Sequence, residues 1–177
     1  MSTKPPTLAA ANVALLCLDV DGVLTDGSIY ITAAGDEIKR YHVADGFALR
    51  LCAKAGLPVA VITGRTSNSL LHRLADLEIP HVIQGSKHKA SSLKIITERT
   101  GIRPEHICHI GDDWPDLPIL LNVGFPVAVA NAASEVKAAA AYTTTAPGGH
   151  GAVREVVNMI LNAKGVYETL LAEYGGR

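Results

Sequence analysis

Neither sign of charge predominates in this chain of 177 residues, where 16 Lys and Arg meet 17 Asp and Glu for a formal net charge of −1. That balance offers no bulk attraction to nucleic acid or to an anionic membrane surface, so neither is expected as a partner. Cysteine is sparse. Cys17, Cys52 and Cys108 are odd in number, far apart and without a C-x-x-C pair. A disulfide framework is therefore not expected, and Cys17 and Cys108 read as small core residues in a reducing compartment. His and Cys at zinc-binding spacing are missing as well. Lys4 and the apolar stretch over 8–18 could pass for a secretion signal, but no small-residue cleavage site follows. No later run is long enough to cross a bilayer, which leaves the cytoplasm as the expected location. With no internal repeat and no linker, residues 1–177 read as a single domain with a substantial core.

What the chain does have is an apolar run over 13–18 stopped by Asp19-Val20-Asp21-Gly22. It reads as a buried parallel strand ending in a tight turn. Open α/β sheets place their ligands at the carboxyl ends of such strands. If the extended backbone persists, Asp19 and Asp21 point the same way. Two β-rich runs around a small turn then suggest a hairpin flap at about 28–43, after which Asp45 is expected to cap a helix over 47–54. Further strands are expected over 58–62, 81–84, 107–110 and 126–130. Helices are expected over 67–77, 89–99, 116–121, 134–141, 152–163 and 166–174, with a loop over 143–151. In the first of these helices Leu70, Leu71, Leu74 and Leu77 are expected on one face. The alternation predicts an α/β fold: a doubly wound, Rossmann-like, mainly parallel sheet with the hairpin after its first strand.

Polar residues collect just after the strands: Asp19 and Asp21, Thr63, the stretch up to Lys89, and Asp112 with Asp113. Carboxylates from two strands, Asp19 and Asp112, suit a hard ion such as Mg2+. Thr63, the amides after it and Lys89 are donors suited to phosphate oxygens. These parts belong together, because a carboxylate attacking a phosphate dianion costs about 4 kcal/mol per unit charge pair at 4 Å and an effective dielectric near 20. A divalent ion and a lysine offset that repulsion. Asp19 is then the candidate nucleophile, forming an aspartyl-phosphate, and Asp21 the candidate proton donor. Lys87 and most histidines read as surface residues, and Trp114 as packing at a helix start.

Taken in order, Asp19-Val20-Asp21-Gly22-Val23-Leu24-Thr25, Thr63-Gly64-Arg65, Lys89 and Gly111-Asp112-Asp113-x-x-Asp116 resemble the four motifs of the haloacid dehalogenase superfamily. The resemblance implies that Asp19 is nucleophile and metal ligand, and that Asp21 is acid/base and binds Mg2+ through its backbone carbonyl. It makes Asp112 the third ligand, gives the phosphoryl group to Thr63 and Lys89, and leaves Asp113 and Asp116 in support. Asp26-Gly27, Asp45-Gly46-Phe47, Gln84-Gly85 and the stretch from Gly148 to Glu155 resemble its 3-deoxy-D-manno-octulosonate 8-phosphate phosphatase branch. Close relatives of that branch act on nine-carbon sialic-type sugar acid 9-phosphates, and both substrates stay open. The same resemblance implies substrate contacts from His42, Asp45, Gly46, Arg50, Gly64, Arg65, Arg73 and Lys89. Ala48 stands where the branch usually has glycine, and the tail, ending in Arg177, carries no basic cluster.

About 40 residues separate Asp21 from Thr63 and fewer than 30 separate Thr63 from Lys89, so no cap domain fits. A site without a lid can be covered by another subunit, and the hairpin is the candidate cover. The expected assembly is a homotetramer, as in the branch. Two rival readings are a phosphorylatable receiver and a catalytically silent module paired with a nucleotidyl-sugar enzyme. The first would need an acceptor Asp on the third strand, where there is none, and the intact acid pair argues against the second.

Overall fold

The computed structural model describes residues 6–176; the readings placed on Lys4 and Arg177 lie outside the described residues. In chain order the elements are α1 (Pro6–Ala11), β1 (Leu15–Leu18), β2 (Tyr30–Ile31), β3 (Glu37–Ile38), α2 (Val43–Lys54), β4 (Val59–Ile62), α3 (Asn68–Asp76), β5 (His81–Ile83) and α4 (Lys89–Thr100). They continue with β6 (Ile107–Gly111), α5 (Leu117–Leu120), β7 (Phe125–Ala128), α6 (Ser134–Ala139), β8 (Tyr142–Thr143), α7 (Ala152–Ala163) and α8 (Tyr167–Glu173).

Six strands form one parallel sheet in the order β5-β4-β1-β6-β7-β8. From β1 the chain builds outward through β4 to β5, then crosses back to lay β6 on the other side of β1. That reversal opens a crevice beyond the carboxyl ends of β1 and β6, the place where doubly wound sheets bind ligands.

Both faces of β1 are buried, and alternation divides its residues between two apolar layers. Leu16 and Leu18 join Val61, Cys108 and Ile110 in the layer holding Leu49 of α2 and Val153, Val156 and Ile160 of α7. Leu15 and Cys17 face the other way, into the layer with Ala60, Ile62, Ile107, Leu93 and Ile96 of α4 and Ile119 of α5. The three cysteines are buried and free. Among the described residues no helix is long and apolar enough to cross a membrane.

The structure departs from the sequence-based expectations at several points. The apolar run before Asp19 divides into α1, whose Ala9 and Ala10 are buried, and a strand that starts only at Leu15. In α3, Leu70 and Leu74 are buried while Leu71 is exposed, since one residue is a 100° turn away from the core-facing stripe. The expected loop over 143–151 begins instead with β8, a two-residue edge strand paired with β7. A 3-10 turn, Trp114–Asp116, precedes α5. The second helix starts at Val43 with His42 as its N-cap, so Asp45 lies inside its first turn and does not cap it.

Candidate active site

Asp19 continues directly from β1, its N–H donating to the Ile110 carbonyl at 3.1 Å, and Asp112 follows β6 on the neighbouring strand. Lys89 is the first residue of α4, and that helix start brings its side chain to Asp19 beyond the end of β1, where it is nearly fully buried. Its Nζ lies 3.0 Å from Asp19 Oδ1 and 2.7 Å from Asp116 Oδ1. Asp116 is buried, and three donors meet its carboxylate. Oδ1 takes Lys89 and the His109 ring Nε2 at 2.9 Å, while Oδ2 takes the Asp112 N–H at 3.3 Å.

Asp19, Asp112 and Asp116 place one oxygen each within 4.8 Å of one another. Burial first, then the charge of Asp116, raises the Asp19 pKa from 3.8 to about 6 despite Lys89. Burial and the Asp19 and Asp116 charges raise Asp112 to about 7. Burial works in the same sense on Asp116, but the hydrogen bond and charge of His109, with those of Lys89, outweigh it and hold its pKa down. Asp19 and Asp112 are therefore the pair with capacity left for a cation. Gly22 makes room for Asp112: its φ is +89°, and a Cβ there would stand 2.0 Å from Asp112 Oδ2. Close, buried, mutually repelling carboxylate oxygens fit a hard divalent ion.

Asp21 does not join this cluster. The strand ends at Leu18 and the chain turns, so Asp19 and Asp21 do not share a direction as the extended geometry implied. The Asp21 carboxylate instead meets the base of the hairpin, where buried Lys39 donates to Oδ1 and Arg65 Nε lies 3.6 Å from Oδ2. Glu37 sits between the two cations, 2.6 Å from Arg65 Nη2 and 3.5 Å from Lys39 Nζ. Lys39 and Glu37 were not anticipated as site residues. Their spacing of two, across and just past the end of β3, was the available signal, since extended backbone puts such residues on one face.

Thr63 follows β4 and is buried; its Oγ1 accepts the Arg65 N–H at 3.3 Å across Gly64. Arg73 lies against Gly46, where a Cβ would stand 2.0 Å from Nη2, and its guanidinium is 5.8 Å from the Tyr41 ring centre. The same arginine bonds Asp76 at 2.9 Å. His42 Nδ1 is buried without a partner, 3.7 Å from Asp45 Oδ2. Asp113 accepts the Trp114 N–H at 2.8 Å, closing the 3-10 turn.

Asp45 and Arg50, two further expected substrate contacts, have partners within the fold. Asp45 accepts the N–H groups of Gly151 at 3.1 Å and Arg154 at 2.8 Å, so it caps α7. Arg50 bonds the Asp76 carbonyl at 3.1 Å and its carboxylate at 3.3 Å in an exposed position away from the acids. The structure does not bring either side chain to the cluster.

The family profile of haloacid dehalogenase-like hydrolases matches residues 78–156. Over 156 residues the chain is 42% identical to 3-deoxy-D-manno-octulosonate 8-phosphate phosphatase KdsC of Escherichia coli K12, covering 88% of this chain and 83% of that one. The crystal structure of the Yersinia pestis phosphatase of that name superposes with a TM-score of 0.92 at 39% identity, covering 93% and 89% of the two chains. The Moraxella catarrhalis phosphatase, solved with magnesium ion, phosphate ion and KDO, superposes at 0.93 with 38% identity, covering 96% and 97%. This chain belongs to the haloacid dehalogenase-like hydrolases and, within them, to the family of these phosphatases. It is an enzyme of the phosphoric monoester hydrolase class.

Proposed function

We propose that the chain hydrolyses a 2-keto-3-deoxy sugar acid phosphate, with 3-deoxy-D-manno-octulosonate 8-phosphate as its substrate and Mg2+ as its cofactor. The observation that carries this reading is the buried Asp19 carboxylate at the sheet's reversal point, held by Lys89 at 3.0 Å and close to Asp112. The substrate for which those relatives are named and the ions in the Moraxella catarrhalis structure support it. The Asp19 and Asp112 carboxylates, with the Asp21 backbone carbonyl, would hold the ion. When bound, it neutralises charge between the carboxylates and the phosphoryl oxygens.

Lys89, the Thr63 hydroxyl and the Gly64 amide hold the phosphoryl oxygens. Asp19 attacks phosphorus, the bond from phosphorus to the sugar oxygen breaks, and Asp21 gives that oxygen a proton. Asp21 then takes a proton from water, whose oxygen bonds to phosphorus as the Asp19 carboxylate leaves. Lys39 keeps the Asp21 carboxylate in place through both transfers. Arg65 and Arg73, beside Asp21 and Tyr41, bind the carboxylate of the sugar acid, for which the forked guanidinium is suited. His42, Asp45 and Gly46 line the recess beside Tyr41 and Arg73.

Residues 6–176 act in this reading as one phosphatase domain, in the cytoplasm. The hairpin exposes Ile29, Tyr30, Ile31 and Ile38, each between 46% and 59% accessible. Those apolar arms are proposed to pair between copies in a homotetramer and to cover a neighbour's site. The test is phosphate release from the eight-carbon 8-phosphate and a nine-carbon 9-phosphate, with and without Mg2+, while the mass in solution is measured by light scattering. The expected result is a tetramer that depends on Mg2+ and favours the eight-carbon substrate. A preference for the nine-carbon acid would overturn the substrate, and a fully active monomer the assembly.

A further inference from the structure

His109 sits in the middle of β6 with no accessible surface. It points into the layer formed by Cys17, its register partner on β1, and by Leu15, Ala60, Ile62 and Ile107. An imidazole costs free energy in such surroundings unless its polar atoms are satisfied. Only half of this ring is. Nε2 bonds Asp116 Oδ1 at 2.9 Å, while among the described residues buried Nδ1 makes no full hydrogen bond and has the weakly polar Cys17 thiol beside it. An aliphatic side chain would fill the position without that penalty, so core packing alone does not account for a histidine there.

We infer that His109 is a positioning residue for phosphate release, acting through Asp116 on the lysine that bridges Asp116 and the Asp19 carboxylate. The relay runs through four buried groups: His109 Nε2 to Asp116 Oδ1 at 2.9 Å, Lys89 Nζ to that same oxygen at 2.7 Å, and Lys89 Nζ to Asp19 Oδ1 at 3.0 Å. The Asp112 N–H holds the other Asp116 oxygen at 3.3 Å. Three donors on one carboxylate fix its plane, and a fixed Asp116 fixes where Lys89 stands relative to Asp19. Without the ring, Oδ1 keeps only Lys89, and the pair is free to shift together away from Asp19. A displacement of about 1 Å among catalytic groups costs on the order of 100-fold in rate. The relay does not depend on the ring's charge, because Nε2–H donates to an acceptor-only carboxylate in the neutral tautomer and in the cation alike.

The inference rests on the phosphatase reading above and is tested with His109→Leu and His109→Gln. Leu removes both the donor and the orphaned nitrogen; Gln restores an amide donor near the position of Nε2. The expected result is a Leu variant that melts at or above the wild-type temperature, with kcat about 10- to 100-fold lower and KM within about threefold. The Gln variant is expected to recover kcat to within a few-fold of wild type. Should the Leu variant not fold, His109→Phe, which fills the ring volume without a donor, is judged by the same criteria. A folded Leu or Phe variant with wild-type kcat, or a Gln variant as slow as Leu, overturns the inference. A wild-type protein with no Mg2+-dependent phosphate release would instead overturn the phosphatase reading, so the two failures are distinguishable.

Discussion

Asp45 and Asp19 are both buried carboxylates, 1% and 8% accessible, and burial raises the pKa of each. Their surroundings differ in kind. Asp45 receives two backbone N–H groups at the start of α7, from Gly151 just before it and Arg154 in its first turn, donors that belong to the fold and cannot move away. Asp19 is met by a side chain it shares with another acid, Lys89, and stands within 4.8 Å of oxygens from two further acids. Burial alone therefore does not mark a catalytic acid. An acid whose charge is met by fixed amides holds the structure together, whereas one left among like charges retains capacity for a cation and a reaction.

The larger expected effect separates the two acids by pH and metal. The folded-state pKa values of Asp19, about 6, and Asp112, about 7, lie above the 3.8 of an unperturbed carboxyl. The folded protein thus binds protons that the unfolded chain has already released, and stability falls as pH rises from about 4 through 7. Metal-free protein is expected to melt at progressively lower temperature over that window, with Mg2+ restoring the melting temperature at pH 8 and changing it little at pH 5. Differential scanning calorimetry with and without chelator reads this directly, and a metal-free melting temperature that climbs from pH 5 to 8 would contradict it. A smaller effect belongs to the other member of the comparison. Asp45→Ala leaves two α7 donors without their acceptor and is expected to cost about 1–2 kcal/mol, read as a lower urea midpoint at unchanged slope. An unchanged midpoint would mean that the cap contributes nothing.

The buried parallel strands were legible because each is an apolar run closed by the polar residues that line the crevice, as at Leu18 to Asp19 and Ile110 to Asp112. The start of α4 at Lys89 and its end at Gly101 followed from the same kind of boundary signal. What escaped depends on partners distant in the chain. Asp45 looks like an N-cap for its own helix, but its donors lie 106 and 109 residues away. Lys39 is one of several charges in a hairpin of two-residue strands, held by side-chain pairs that leave no hydrophobic pattern. His109 carries no signal of its own beyond interrupting an otherwise apolar strand, and its partner Asp116 becomes visible only in the fold. The α1 helix was hidden because its apolar residues run on into those of β1.

The most direct test of the central claim is the rate of phosphate release by Asp19→Asn at saturating substrate and Mg2+. The amide keeps the shape and can still accept from Lys89, but it cannot attack phosphorus. The expected result is a loss of about 1,000-fold or more with no fall in melting temperature, since a like charge beside Asp112 has been removed. A variant that stays within tenfold of the wild-type rate would show that another group takes the phosphoryl.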